Sequence, residues 1–285
     1  MRIVVCVKQV GYVYHDLPLC EARNEIDPEK MVSMINPYDE VAVEEAVRIK
    51  ERYKDCQVIL ITVGPPVSEE TLRYSFALGG DRMIRVGSES DDPWSISVIL
   101  AEVIKDLNYD IVLCGKKAID NNAGLVGSFV ADLLNIPQVS RIVRLELLPQ
   151  EKKAIVHRSL GRGDRQVLEC SVPALFTVEK GLNDPRYPSL PNRLSAKKAE
   201  IEVIESSSLG FSTDDEMNIV QYMTLSPPRP KPKKVFTPDS NLSASERMRL
   251  LMTGQKTEKK AGLVGGNPED IAGKVLEVLI QEKVV

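Results

Sequence analysis

Apolar runs and helical periodicities alternate along the first two-thirds of the chain. Residues 2 to 7 form an apolar run that predicts a buried strand, and 39 to 53 repeat apolar side chains at three- and four-residue spacing, as an amphipathic helix does. A strand follows at 57 to 63, a helix at 68 to 78 and a short strand from Met83 to Val86. Asp92 and Pro93 supply the cap and first-turn proline of a helix running to Leu107; Asp110 to Cys114 is the next strand, and 122 to 134 the next helix. Repeated βα units predict an α/β fold with a mainly parallel sheet covered on both faces. Such sheets bind ligands beyond the carboxyl ends of their strands.

The pattern changes near residue 136. Pro137 to Leu147, Lys153 to Ser159 and Arg165 to Leu168 alternate as antiparallel strands do, around a turn at Gly161-Arg-Gly163, and Val172 to Val178 is a further apolar strand. Past Lys180 the periodicity breaks and prolines accumulate at 185, 188 and 191 and again in Ser226-Pro-Pro-Arg-Pro-Lys-Pro-Lys-Lys234. The division expected is therefore an α/β domain over 1–180 and an extended arm over 181–285, lying on another surface through Ile201-Glu-Val-Ile204 and Val235-Phe236. Two helices are expected in the arm. One spans 241 to 255 with a cap at Ser243, and the other 269 to 282 with Ile271, Val275, Val278 and Leu279 on one face; Gly262 to Gly266 is a joint between them.

Composition removes several function classes. With 43% hydrophobic and 27% charged residues the 285-residue chain buries a full core, and its net charge of -4 gives no nucleic-acid surface. No apolar run is long enough for a spanning helix, and the N-terminal strand is too short for a secretory signal, so a cytoplasmic protein without membrane insertion is expected. The five cysteines are widely spaced with no C-x-x-C pair, which argues for reduced thiols and against a metal site. His15 and His157 stand apart, without an evident nucleophile or ligand set.

Candidate chemistry gathers at the strand ends. Ile111-Val-Leu-Cys-Gly115 runs into a charged and amide-rich turn, where Gly115 lets a ligand approach the backbone and the following helix offers free N–H groups. Asp120, Asn121 and Asn122 are expected to cap a helix starting near Ala123. Taken alone, the segment reads equally as a phosphate cradle or as a plain strand, cap and helix, since it matches neither the P-loop nor the dinucleotide glycine pattern. Cys6-Val7-Lys8 and Val63-Gly64-Pro65 end two other strands, and Asn36-Pro37-Tyr38-Asp39 opens a helix, so several contributors converge on one crevice.

Several of these segments, in this order, resemble the beta (small) subunit of electron transfer flavoprotein over nearly the whole chain. The resemblance rests on Val5-Cys-Val-Lys8-Gln-Val10, Asn36-Pro-Tyr-Asp-Glu-Val-Ala-Val-Glu-Glu-Ala-Val47, Leu78-Gly-Gly-Asp81-Arg82, Gly115-Lys-Lys-Ala-Ile-Asp120 and Asn183-Asp-Pro-Arg-Tyr-Pro-Ser-Leu190-Pro-Asn192. It implies an adenine nucleotide alpha-hydrolase-like (Rossmann-like) fold, with the arm wrapped around an alpha subunit that holds FAD. It also implies a structural AMP in the beta subunit. Matched position by position, the AMP ligands would be Cys6, Asn36, Pro37, Tyr38, Asp39, Val63, Gly115, Lys116, Lys117, Ala118, Ile119, Asp120, Asn121, Asn122, Ala123, Gly124, Leu125 and Val126. Tyr187, Leu190 and Pro191 match a recognition loop whose exposed leucine docks on an acyl-CoA dehydrogenase-type donor. The implied role is electron transfer toward a membrane quinone-linked oxidoreductase or a ferredoxin-linked acceptor, with no catalytic residue in this chain.

The chain departs from the family at two points. After Ala-Ile-Asp the usual Gly-Asp-Thr-Ala-Gln-Val-Gly is replaced by Asn121-Asn-Ala-Gly-Leu-Val-Gly127, so the missing Thr and Gln contacts pass to Asn121, Asn122 or the backbone. Flavin-bifurcating members, which carry a second FAD in this subunit, have an Ala-Phe-Ala-Gly-Ala-Asp-Thr type loop where this chain has Gly87-Ser-Glu-Ser-Asp-Asp-Pro-Trp-Ser95; AMP is therefore favoured. The family's aromatic contact to the flavin falls on Val13, flanked by Tyr12 and Tyr14. A universal-stress-type ATP-binding regulator is the rival reading, and it has no use for an arm after 180. An ATP pyrophosphatase would need a Ser-Gly-Gly-x-Asp-Ser loop where Lys8-Gln-Val-Gly11 stands.

Overall fold

A computed structural model describes residues 1–13, 19–20, 25–27, 30–209, 218–220, 238–239, 241–253 and 266–281. Tyr14, His15, the tract 226–234, Val235-Phe236 and the joint at 262–265 lie outside the described residues. The chain divides into two units, Met1–Pro228 and Arg229–Val285.

The first unit begins with β1 (Arg2–Cys6), β2 (Gln9–Tyr12), the two-residue strands β3 (Leu19–Cys20) and β4 (Glu25–Ile26), and β5 (Val32–Ile35). Then come α1 (Pro37–Arg52), β6 (Gln57–Val63), α2 (Glu69–Gly79), β7 (Arg82–Gly87), α3 (Pro93–Lys105), β8 (Ile111–Gly115) and α4 (Val126–Leu133). The remaining elements of this unit are β9 (Gln138–Leu148), β10 (Lys153–Gly161), β11 (Asp164–Ser171), β12 (Ala174–Val178), α5 (Leu190–Lys198) and β13 (Glu202–Glu205).

Nine strands form one sheet in the order β11-β10-β9-β12-β8-β1-β6-β7-β13. It is parallel from β9 across to β13, and only the β9-β10-β11 edge is antiparallel, so the expected α/β architecture with added hairpin strands is what the chain adopts. Strands buried on both faces read as continuous apolar runs because alternate residues meet different helices. Ile3, Val5, Leu60, Ile111 and Leu113 pack with α1 and α2, while Val4, Cys6, Ile59, Ile61, Val112 and Cys114 pack with α3 and α4.

Two parts of the sequence reading change. The hairpin of β2 and β5 pairs Gln9–Tyr12 antiparallel with Val32–Ile35, a pairing with no apolar signature. Residues 181–205, expected at the start of an arm reaching away, lie instead on this unit. Strand β13 extends the parallel sheet beside β7, with Arg82 bonded to Glu202, and Ile204 packs under it. Arg73 Nη1 donates to the carbonyls of Ala196 (2.6 Å), Ala199 (2.9 Å) and Lys197 (3.2 Å), which fixes the C-terminal end of α5 against α2. Polar contacts between residues more than a hundred positions apart leave no local pattern to read.

The segment before α5 is clamped onto α1. Asn183 Nδ2 donates to Val41 O (3.1 Å) and Glu45 Oε2 (2.9 Å), and Arg186 Nε donates to Glu44 Oε2 at 2.9 Å while its Nη1 meets Glu51 Oε1 at 2.5 Å. Burial pushes the Glu44 carboxyl up, but hydrogen bonds from Arg186 and Arg48 outweigh it and hold the group below its ordinary 4.5. In the second unit, α6 (Ala244–Thr253) opens with a capping box in which Ser243 Oγ bonds Glu246 Oε2 at 2.6 Å. The last helix is α7 (Pro268–Gln281). No helix among the described residues is long and apolar enough to cross a membrane.

Arg186→Ala leaves the buried Glu44 with only Arg48. Because Arg186 is 38% exposed, the loss falls short of a fully buried pair and is expected at about 1–3 kcal/mol in urea unfolding near neutral pH. A carboxyl whose folded value is lowered contributes stability above its unfolded value, so the gap between wild type and variant closes as pH falls below 4.5.

Candidate functional site

The carboxyl ends of β1, β6 and β8 open into a cleft with an empty volume of about 740 Å³ including its mouth. One wall is the N-terminal end of α1, the other the start of α3, and the turn from Gly115 to Val126 closes the third side.

Asp39 holds the first wall. It sits in the first turn of α1, its Oδ2 accepts the N–H of Lys8 at 2.8 Å, and its Oδ1 accepts the N–H of Gly115 at 3.0 Å. One carboxylate therefore ties together the ends of two neighbouring strands. Burial drives its pKa up to about 7, against the opposing hydrogen bonds of Lys8, Asn36 and Gly115. Asn36 Nδ2 donates to Lys117 O at 3.0 Å, while its Oδ1 is buried without a partner among the described residues; so is Thr62 Oγ1. Both residues line the cleft, where water or a polar ligand can reach them.

Gly115 is required by contact. A Cβ there would overlap the Asp39 carboxylate and lie 2.8 Å from Tyr38 Cβ and 3.0 Å from Asn36 Nδ2. The turn that follows corrects the sequence expectation of a capped helix at Ala123: α4 starts at Val126, after Leu125, with no side-chain cap. Instead Asn121 Oδ1 accepts Ala123 N–H at 3.1 Å, and Asn122 and Gly124 take left-handed conformations at φ 55° and 64°. The chain curls around the cleft before the helix begins, and the first N–H groups of an uncapped helix remain for a ligand.

Among the residues singled out from sequence, Cys6, Asn36, Asp39, Val63, Gly115, Lys116, Lys117, Ala118, Asn121, Ala123, Gly124, Leu125 and Val126 line the cleft. Pro37, Tyr38, Ile119, Asp120 and Asn122 are not in the lining. Pro37 starts α1, and Asp120 pairs with Lys8 Nζ at 2.7 Å. Tyr38 has Lys116 Nζ 4.9 Å and Lys180 Nζ 5.5 Å from its ring centre, with Lys116 also held by Glu179 at 2.5 Å. Sequence reasoning missed Ile61, Thr62, Asp91, Pro93, Ile96 and Leu100 in the lining. Asp92-Pro93 carries the signal that finds the α3 wall, because a capped helix start beside a strand end points into this crevice. Hydrogen bonding with Cys6, added to burial, pushes the Cys114 thiol far up, so it stays protonated. Tyr187, Leu190 and Pro191 lie at the surface away from the cleft; Tyr187 is 94% and Leu190 68% exposed, and Leu190 is the first residue of α5 rather than part of a loop. Tyr12 is 40% exposed on β2.

The parallel sheet and the cleft at its carboxyl edge define a doubly wound α/β protein with a candidate ligand site there. Residues 26–209 match the family model described as the electron transfer flavoprotein domain. Over 228 residues, 78% of this chain and 87% of the relative, it is 35% identical to electron transfer flavoprotein subunit beta of Bacillus subtilis (strain 168). The human protein of the same name is 33% identical over 225 residues, covering 77% and 87%. Subunit CarD of the caffeyl-CoA reductase-Etf complex of Acetobacterium woodii is 35% identical over 218 residues, covering 75% and 82%. The chain belongs to the electron transfer flavoprotein beta subunit family. Membership implies electron transport, a flavin-related cofactor and an alpha-subunit partner.

Gly115→Ala forces Asp39 and Asn36 out of place and is expected to cost about 1–3 kcal/mol in urea unfolding. For Asp39, a folded pKa near 7 against an ordinary 3.8 means that the folded chain takes up the proton first as pH falls. Stability of the ligand-free chain should thus decline as pH rises from about 4 to about 7 and then level off. Unfolding curves of Asp39→Asn across that range should lack this slope.

Proposed function

We propose that this chain is the small subunit of a heterodimeric electron carrier, that its alpha partner holds the redox-active FAD, and that its own cleft binds AMP as a structural ligand. The observation that carries the nucleotide is the cleft itself. Buried Asn36 Oδ1 and Thr62 Oγ1 have no hydrogen-bond partner among the described residues, Gly115 leaves the backbone open, and the uncapped start of α4 presents N–H groups to an anion. Cys6, Val63 and Ile61 would flank the adenosine, with Asn36 and Thr62 offering hydrogen bonds. The turn from Gly115 through Lys116, Lys117, Ala118, Asn121, Ala123, Gly124 and Leu125 to Val126 would enclose the phosphate, with Lys8 at the mouth.

The carrier takes electrons from an acyl-CoA dehydrogenase-type donor, docked at Leu190, Tyr187 and Pro191, and delivers them to a membrane quinone-linked oxidoreductase or another acceptor. An exposed leucine held by neighbouring prolines loses little freedom on docking, which suits it to this contact. The chain works in the cytoplasm and performs no bond chemistry; bound FAD supplies the redox step. A second reading places another FAD in the same cleft, as in bifurcating carriers. It is opposed by the sequence from Gly87 to Ser95.

Co-expression with its alpha subunit, followed by release of the ligands from the yellow complex, should give FAD and AMP near parity. Two FAD and no AMP would establish the bifurcating reading instead. A colourless monomer that hydrolyses ATP would remove the flavoprotein assignment.

A further inference from the structure

The start of α3 carries a second buried carboxylate whose partners the cleft alone does not explain. Asp92 is 3% exposed, and its Oδ1 caps the helix by accepting the N–H groups of Trp94 (2.9 Å) and Ser95 (3.1 Å). A cap needs only that oxygen. Its Oδ2 accepts two further N–H groups, from Ile219 (3.0 Å) and Val220 (2.8 Å), residues more than 120 positions away. Beside them Asn218 Oδ1 accepts the hydroxyls of Ser90 (3.1 Å) and Ser95 (3.0 Å). The short segment 218–220 is thus strapped onto the loop that enters α3 by four hydrogen bonds.

That loop is a wall of the cleft. Asp91, Pro93 and Ile96 face the cavity on either side of Asp92. The first turns of α3 are in turn fastened to the opposite end of the Gly115–Val126 turn: Ser97 Oγ reaches Val126 O at 3.4 Å, and Trp94 packs edge-on against Phe129 of α4 with ring centres 5.3 Å apart. A continuous set of contacts runs from the strap through Asp92 and α3 to the turn that closes the cleft. Each link is a discrete hydrogen bond or a packed ring.

We propose that Asp92 is a positioning residue that couples the strap at 218–220 to the nucleotide cleft, so that a filled cleft tightens the strap and a seated strap retains the nucleotide. The proposal rests on the reading of the cleft as an AMP site. Coupling of this kind is reciprocal, and each partner changes the other's equilibrium by the same factor.

Asp92→Asn separates the two duties of the carboxylate. The amide keeps one oxygen, which is a good cap, and turns a donor toward the strap where an acceptor stood. In the full-length wild-type chain, saturating AMP should slow hydrogen exchange of the Ile219 and Val220 amides about fivefold or more. In Asp92→Asn those amides should exchange fast with or without AMP, and the AMP dissociation constant should rise by about the same factor. The double change Ser90→Ala with Ser95→Ala leaves Asp92 in place and should shift both readouts in the same direction. Wild type that binds AMP with no change in strap exchange, or variants that bind AMP as tightly as wild type while the strap is free, would overturn the coupling and leave the AMP site standing. Wild type that binds no AMP would overturn the site reading and the coupling with it.

Discussion

The structure turns on the two backbone N–H groups that protrude where β1 and β8 end. Neighbouring strands satisfy one another along their shared length, but at the carboxyl edge they separate to leave a crevice, and Lys8 and Gly115 lose their sheet partners. Asp39 accepts from both. A neutral side chain could offer one oxygen, or an oxygen and a donor; only a carboxylate presents two acceptors at this spacing. The cost is a buried charge, visible in a pKa raised to about 7. The absence of a Cβ at Gly115 follows from the same requirement, since any side chain there would occupy the carboxylate's place.

Asp92 on the opposite wall shows how the balance of terms decides the outcome. Both aspartates are almost fully inaccessible and both sit at the start of a helix. Burial is the largest influence on each and raises it, but it weighs far more on Asp39, which ends well above its ordinary value despite hydrogen bonds from Lys8, Asn36 and Gly115, whereas Asp92 accepts four backbone N–H groups and ends below. One wall thus carries a permanent anion locked into secondary structure. The other carries a group poised between protonation states near neutral pH.

The sheet was legible because β1, β6 and β8 are buried on both faces and read as unbroken apolar runs between amphipathic helices. Cys6, Asn36, Val63 and Gly115 could be placed at one edge by that alternation alone. What the pattern could not carry is polar and long-range. Asp39 was visible as an acid in the first turn of a helix, but its partners lie 31 and 76 residues away. Asn121 and Asn122 have the chemistry of caps, and chain curvature through Asn122 and Gly124 puts them to use in a turn instead. The prolines after Lys180 suggested a chain reaching outward, yet Asn183, Arg186, Arg73 and Arg82 bind that stretch to α1, α2 and β7. Charged side chains that would be unremarkable on a solvated surface set its path.

The cleft's lining is suited to holding a ligand rather than transforming one. Its two thiols lie side by side on adjacent strands, and Cys114 is held protonated by Cys6 and by burial, which removes the thiolate a nucleophile requires. Asp39, the carboxylate nearest them, already has an N–H on each oxygen, so it can accept a proton but is not free to swing toward a substrate. Lys116, the cation beside the turn, is engaged by Glu179 and the Tyr38 ring. Asn36 and Thr62 keep unpaired polar atoms, and these are neutral groups that orient a ligand without reacting with it. A family whose electrons travel through a flavin needs a rigid small subunit more than a reactive one, and a bound nucleotide that satisfies these buried groups would supply rigidity where the strand ends diverge.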